Sequence, residues 1–317
     1  MSLLQAGLLA LALAALPAWA QTGMRVGLLG PDEQPRFSEI AVGFKQGLRE
    51  QGYAEGRIEL IEIRVPRDDG GRTARAKLAE EKPAVLFVIG SSLARLARDH
   101  DAALPIVFIT PGDPVASGLI ASLSRPGRNM TALTFEYPEL SAKRLELLRD
   151  FAPGVQRVLA LYDPRDSSPR QGAAAARVAA KTLGLTLVEV EVRNSADIKE
   201  GLKKLDEVDA LLGIPGGITS AHHQAMIQAA NLKRRVTILF GHSPSTRDAL
   251  LSYGASDADV ARQAARAVVK VLGGANAGEL AVERPSTLTL VVNTRTAKAL
   301  GIAVPPSIML RADKLIE

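Results

Sequence analysis

Short apolar runs rich in β-branched residues alternate along this chain with stretches whose apolar positions recur every three to four residues. The runs at Arg25–Gly30, Ile58–Val65, Ala84–Ile89 and Ile106–Thr110 read as strands, and the intervening patterns at Phe37–Gln51, Arg72–Glu81 and Ser92–His100 read as helices. Strands that are apolar throughout and separated by helices predict βαβ units and a parallel sheet. The plan then restarts. Arg25-Val26-Gly27-Leu28-Leu29 is echoed by Arg157-Val158-Leu159-Ala160-Leu161, and the helix-ending Gly52 by Gly184 at the same offset. Val188–Val192, Ala210–Ile214 and Thr237–Phe240 continue as strands, with helices at Asp197–Glu207 and Ser220–Lys233. The expectation is an α/β fold of two lobes with parallel sheets; the alternative is one continuous doubly wound sheet.

Between the halves, Asp113–Ala152 breaks the rhythm, with an extended run at Met130–Phe135 and an amphipathic helix at Glu139–Phe151. A helix at Asp257–Leu272, a strand at Leu288–Asn293 and a short helix at Thr294–Leu300 follow the second half. Such extra elements are most simply used if the chain passes between lobes more than once, making a hinge of several crossovers. The expected division gives residues 24–133 and about 245–275 to the first lobe, and 134–244 with about 276–317 to the second.

Composition narrows the picture. Of 317 residues, 47% are apolar and 23% charged, a globular balance. Cysteine is absent, which excludes disulfides, thiol nucleophiles and cysteine-held metals or lipids. The net charge of +5 is small and scattered, and no aromatic-basic interleaving points to nucleic acid. Met1–Ala20 has no charged residue and ends in Pro17-Ala18-Trp19-Ala20, the pattern of an export leader cleaved near Ala20-Gln21.

In open parallel sheets ligands lie beyond the carboxyl ends of the strands. Those ends nominate Gly30, Ser91 and Ser92, Asp113, Asp163, Gly216 and His242. Ser91 and Ser92 open a helix, where free N–H groups suit a carboxylate; plain N-capping is the alternative. Asp113, helped by Asp163, is placed to hold an ammonium, although Asp before Pro is also ordinary turn chemistry. Phe135 and Tyr162, with Tyr137 and Tyr253, are available to line an apolar pocket or simply to pack. Enzyme signals are weak. Gly241-His242-Ser243-Pro244-Ser245 lacks the second glycine of a nucleophile elbow. His222 and His223 are neighbours on a helix, diverge by about 100° and read as a solvated face. No cofactor motif is present.

Gly112-Asp113-Pro114-Val115-Ala116-Ser117-Gly118-Leu119, continuing to Arg125-Pro126-Gly127, resembles the central signature of a family of bacterial ABC-transporter substrate-binding proteins. That family includes tryptophan- and other aromatic-amino-acid-binding lipoproteins. Ala142-Lys143-Arg144-Leu145-Glu146-Leu147-Leu148 and the stretch from Ala299 to Asp313 are similar to it as well. The resemblance implies a type I periplasmic-binding-protein fold of two Rossmann-like lobes, with three crossovers and a ligand in the interlobe cleft. It also implies delivery to a membrane permease driven by an ATPase. Arg128 and Ala132 stand where relatives often have glycine or threonine-glycine, which predicts a different loop shape near the hinge. The reading is a periplasmic, unanchored, monomeric receptor without cofactor or catalysis, for an amino acid or similar zwitterion. The alternatives are an exported enzyme using the same cleft and a ligand sensor without a transport role.

Overall fold

The computed structural model describes residues 23–32, 36–53, 56–66, 69–135, 138–243 and 246–317. The leader, Tyr137 and the Pro244-Ser245 pair lie outside them. Strands β1 (Met24–Pro31), β2 (Ile58–Val65), β3 (Val85–Ile89), β4 (Ile106–Thr110) and β5 (Met130–Thr134) form one parallel sheet, ordered β2-β1-β3-β4-β5. Every residue of β3, β4 and β5 is buried, because helices cover both faces. Helices α1 (Arg36–Glu50), α2 (Arg72–Glu81) and α3 (Ser91–His100) make the crossovers.

A second sheet carries the repeat: β6 (Arg157–Tyr162), β7 (Thr186–Glu191), β8 (Ala210–Gly213) and β9 (Val236–His242). Its crossovers are α5 (Ser167–Leu183), α6 (Ser195–Leu202), α7 (Gly217–Ala221) and α8 (His223–Leu232). The helix expected over Ser220–Lys233 is thus two pieces, parted at His222. The sheet is completed by β10 (Leu251–Ser256), β11 (Thr289–Asn293) and β12 (Lys314–Ile316), in the order β12-β11-β10-β9-β8-β6-β7. The sheets are parallel except where β11 runs antiparallel to β10. That reversal follows from the path, because the chain leaves after β10 and re-enters from the other lobe.

The exchange has three crossings. After β5 the chain passes into α4 (Pro138–Phe151), which packs on α5 in the second lobe. After β10 it returns into α9 (Asp257–Leu272), which packs on α1 and buries Val260, Ala264 and Val268 against the first sheet. Gly43 and Gly47 allow this approach: a Cβ on either would stand 2.1 Å from Ala258 O or 2.3 Å from Arg262 O. The chain then runs along β5, where Thr134 N donates to Glu283 O at 3.0 Å and Glu283 N to Ala132 O at 3.0 Å, before joining β11. Strand pairing therefore moves the expected limits. Leu251–Ser256 lies in the second sheet, and 276–283 lies against the first. Two short helices, α10 (Thr294–Leu300) and α11 (Pro306–Arg311), close the second lobe. Arg128 adopts a left-handed φ of 54°, so the loop keeps a glycine-like turn without glycine. Among the described residues no helix is long and apolar enough to cross a membrane.

Candidate functional site

The two sheets turn their carboxyl ends toward each other, and a cleft of about 230 Å³ lies between them. On the first lobe it is walled by Pro31 and Arg36, by Gly90 to Leu93 at the start of α3, by Thr110 to Asp113 after β4, and by Phe135. On the second lobe the wall is Asp166 to Ser168 at the start of α5, Gly216, Gly217 and Ser220 around α7, and Phe240 on β9. The starts of α3, α5 and α7 thus face one space, each with N–H groups that have no intrahelical partner.

The first-lobe wall is built locally. Gly90 is the N-cap of α3 at φ 95°, a conformation that suits glycine, and no side chain caps the helix. Ser91 is not spent on capping: its Oγ shares a 2.7 Å hydrogen bond with Thr110 Oγ1. Thr110 Oγ1 also accepts from Gly112 N at 3.3 Å, and Thr134 Oγ1 donates to Gly112 O at 2.7 Å. Asp113 folds its own turn, with Oδ1 accepting from Val115 N at 2.8 Å and Ala116 N at 3.1 Å.

Across the cleft, Asp166 caps α5 by accepting from Ser168 N at 3.2 Å. Thr219 Oγ1 donates to Ile214 O at 2.8 Å and holds the loop that carries Gly216. The walls touch: Ser168 Oγ donates to Pro111 O at 2.6 Å, so the lobes are closed on each other. At the inner end, Arg36 makes a two-pronged pair with Asp257 at 2.9 and 3.2 Å. Glu39, one turn along α1, is pushed up to about 7 by burial and then by the Asp257 charge. Arg144, fully buried, donates from Nε to Tyr253 O at 2.8 Å and lies 5.8 Å from the Phe240 ring centre.

Of the residues singled out in the sequence, the cleft brings together Ser91, Ser92, Asp113, Phe135 and Gly216. Four others stand outside its walls. Gly30 is packed beneath Ile89 and Phe37, leaving Pro31 on the surface of the cleft. Tyr162 points into the core of the second lobe and is 9% exposed, and Tyr253 packs at the edge of that core. Asp163 is clamped by Arg165, at 2.9 Å to Oδ1 and 2.7 Å to Oδ2, and this holds its carboxyl below the usual range. His242 is half-buried with Nε2 3.0 Å from Lys314 Nζ, and burial followed by that charge lowers its pKa. His223 is not on a solvated face. It is 4% exposed, and burial, ahead of the Arg36 charge, lowers its pKa to about 3. Its neighbour His222 bonds Ile218 O and Ser195 Oγ.

Sequence reasoning missed Arg36, Asp166 to Ser168, Ser220 and Phe240. The Asp-Ser-Ser run was a readable helix start. Phe240 and Ser220 carried no local signal, because their place depends on how the lobes meet. Among the described residues no three His, Asp or Glu side chains gather as a metal site.

Comparison with known proteins agrees with this architecture. A family model for ABC transporter substrate binding proteins matches residues 25–316. A tyrosine-binding protein of Clostridioides difficile is 22% identical over 280 residues, covering 87% of this chain and 81% of that protein. The crystal structure of an ABC domain from Streptococcus pneumonia in complex with L-Trp superposes with a TM-score of 0.83 at 22% identity, covering 93% of this chain and 100% of that one. A conserved domain protein from Vibrio cholerae gives 0.80 at 27% identity, covering 92% and 99%.

Proposed function

The chain belongs to the ABC transporter substrate-binding protein family, and from that premise we propose that it is the solute receptor of an importer for an amino acid or similar zwitterion. The observation that carries the reading is the opposed chemistry of the cleft. Ser91 and Ser92, at the start of α3 that no side chain caps, line the same space as the acidic residues Asp113 and Asp166. The amides take the ligand carboxylate through aligned N–H dipoles. Asp113, with Asp166 in the role expected of Asp163, takes the ammonium. Phe135 and Phe240 line the side-chain pocket, which fits the aromatic ligands of the relatives named above.

Binding favours the closed arrangement, because both lobes contribute contacts and the ligand's differential affinity sets the population. The closed form is what a permease and its ATPase would then receive. The receptor acts as a monomer after export and removal of the leader near Ala20-Gln21. It performs no chemistry on its ligand.

Thermal-shift screening against amino acids, short peptides and sugars tests this. A ligand present at about a hundred times its Kd stabilises by about 2.7 kcal/mol, so an amino acid is expected to raise the Tm by several degrees. A response confined to sugars or peptides would refute the ligand class. Recovery of a chemically altered ligand would refute the receptor role.

A further inference from the structure

One buried group near the cleft has no part in that account. His223 opens α8 and is 4% exposed, yet neither Nδ1 nor Nε2 has a hydrogen-bond partner among the described residues. Its ring meets Phe240 edge-on, with centroids 4.6 Å apart. Phe240 and Ser220, the latter one turn earlier, both line the cleft. The charges that bear on His223 come from three elements: Arg36 of α1, Asp257 of α9 and Arg144 of α4.

Burial and the two arginines keep the imidazole neutral. A neutral imidazole offers one donor and one acceptor. Buried polar groups are normally satisfied, and those that are not call for an explanation in function. Position supplies one here. His223 and Phe240 belong to the second lobe, while Arg36 and Asp257, whose charges reach the imidazole, belong to the first. Phe240, which the ring meets edge-on, is a wall of the cleft, and this puts the imidazole one side chain behind that wall.

We propose that His223 determines specificity, its imidazole taking the hydroxyl at the tip of a phenol-bearing amino acid whose ring lies against Phe240. The inference rests on the amino-acid reading above. A hydroxyl both donates and accepts, so it satisfies whichever ring nitrogen faces it. A hydrocarbon tip would leave both nitrogens bare. Sites built to bond a ligand hydroxyl reject the analogue lacking it far more strongly than apolar pockets reject a missing methylene.

Isothermal titration with L-tyrosine and L-phenylalanine tests the proposal. The wild type is expected to bind tyrosine at least about tenfold more tightly. His223→Phe keeps a buried ring but cannot hydrogen-bond. It is expected to erase the preference by weakening tyrosine while leaving phenylalanine near its original affinity. His223→Gln, which keeps a donor and an acceptor, is expected to retain part of it. Equal affinities in the wild type overturn the proposal with no variant needed. An intact preference in His223→Phe, or equal loss of both ligands, also overturns it; in each case the amino-acid reading stands. Failure of every amino acid to bind the wild type overturns both.

Discussion

Gly112 and Ser168 face each other from opposite lobes, and a Cβ on Gly112 would stand 2.4 Å from Ser168 Cβ and 2.8 Å from its Oγ. Gly112→Ala therefore props the cleft open. The expected result in titration calorimetry is ligand binding weakened about tenfold, equivalent to about 1.4 kcal/mol. Ser168→Gly in the same chain removes the colliding atoms, so it is expected to restore most of the loss. At this scale the sequence was legible where backbone position decides the role. Ser91, Ser92 and Asp113 follow strand ends and do reach the cleft. It was illegible where a side chain's direction decides. Asp163 also follows a strand end, but Arg165 captures it two residues on. Tyr162 differs from a cleft residue only in which side of β6 it faces, and it lies in the core.

Between elements, α1 lies backbone to backbone on α9. Gly43→Ala puts a methyl 2.1 Å from a backbone oxygen that cannot swing aside as a side chain can. The helices must separate, and the expected cost is about 1–3 kcal/mol, read as a lower urea midpoint with an unchanged m-value. Periodicity disclosed α9 as a helix with one apolar face. It could not say that this face covers α1 in the other lobe, because a pattern records that a surface is buried and not what buries it. β10 went unread because Gly254 and the serines of Leu251–Ser256 break the apolar run; the strand exists through its pairing with β9 and β11. The restart of the plan at Arg157 was clear because order and spacing are properties of the chain itself.

Across the whole molecule, half-buried Glu39 and buried His223 give stability opposite dependences on pH. The Glu39 carboxyl ionises from about 4.5 in the unfolded chain and only near 7 in the folded one. The stability it contributes is whole below 4.5 and is lost as the pH rises through about 7. Glu39→Gln is expected to melt with the wild type at pH 4.5 and above it at pH values beyond 7, as followed by calorimetry. His223 runs the other way: its stability is present above 6.5 and lost as the pH falls toward 3. The same scale shows what the triple crossing means for the order of synthesis. One of the helices that cover the first sheet, α9, is made only after all strands of that sheet and most of the second lobe. A nascent chain ending before Asp257 carries the first sheet with the groove at Gly43 and Gly47 uncovered. Completion of the lobe nearest the amino terminus is thereby postponed until almost the entire polypeptide exists.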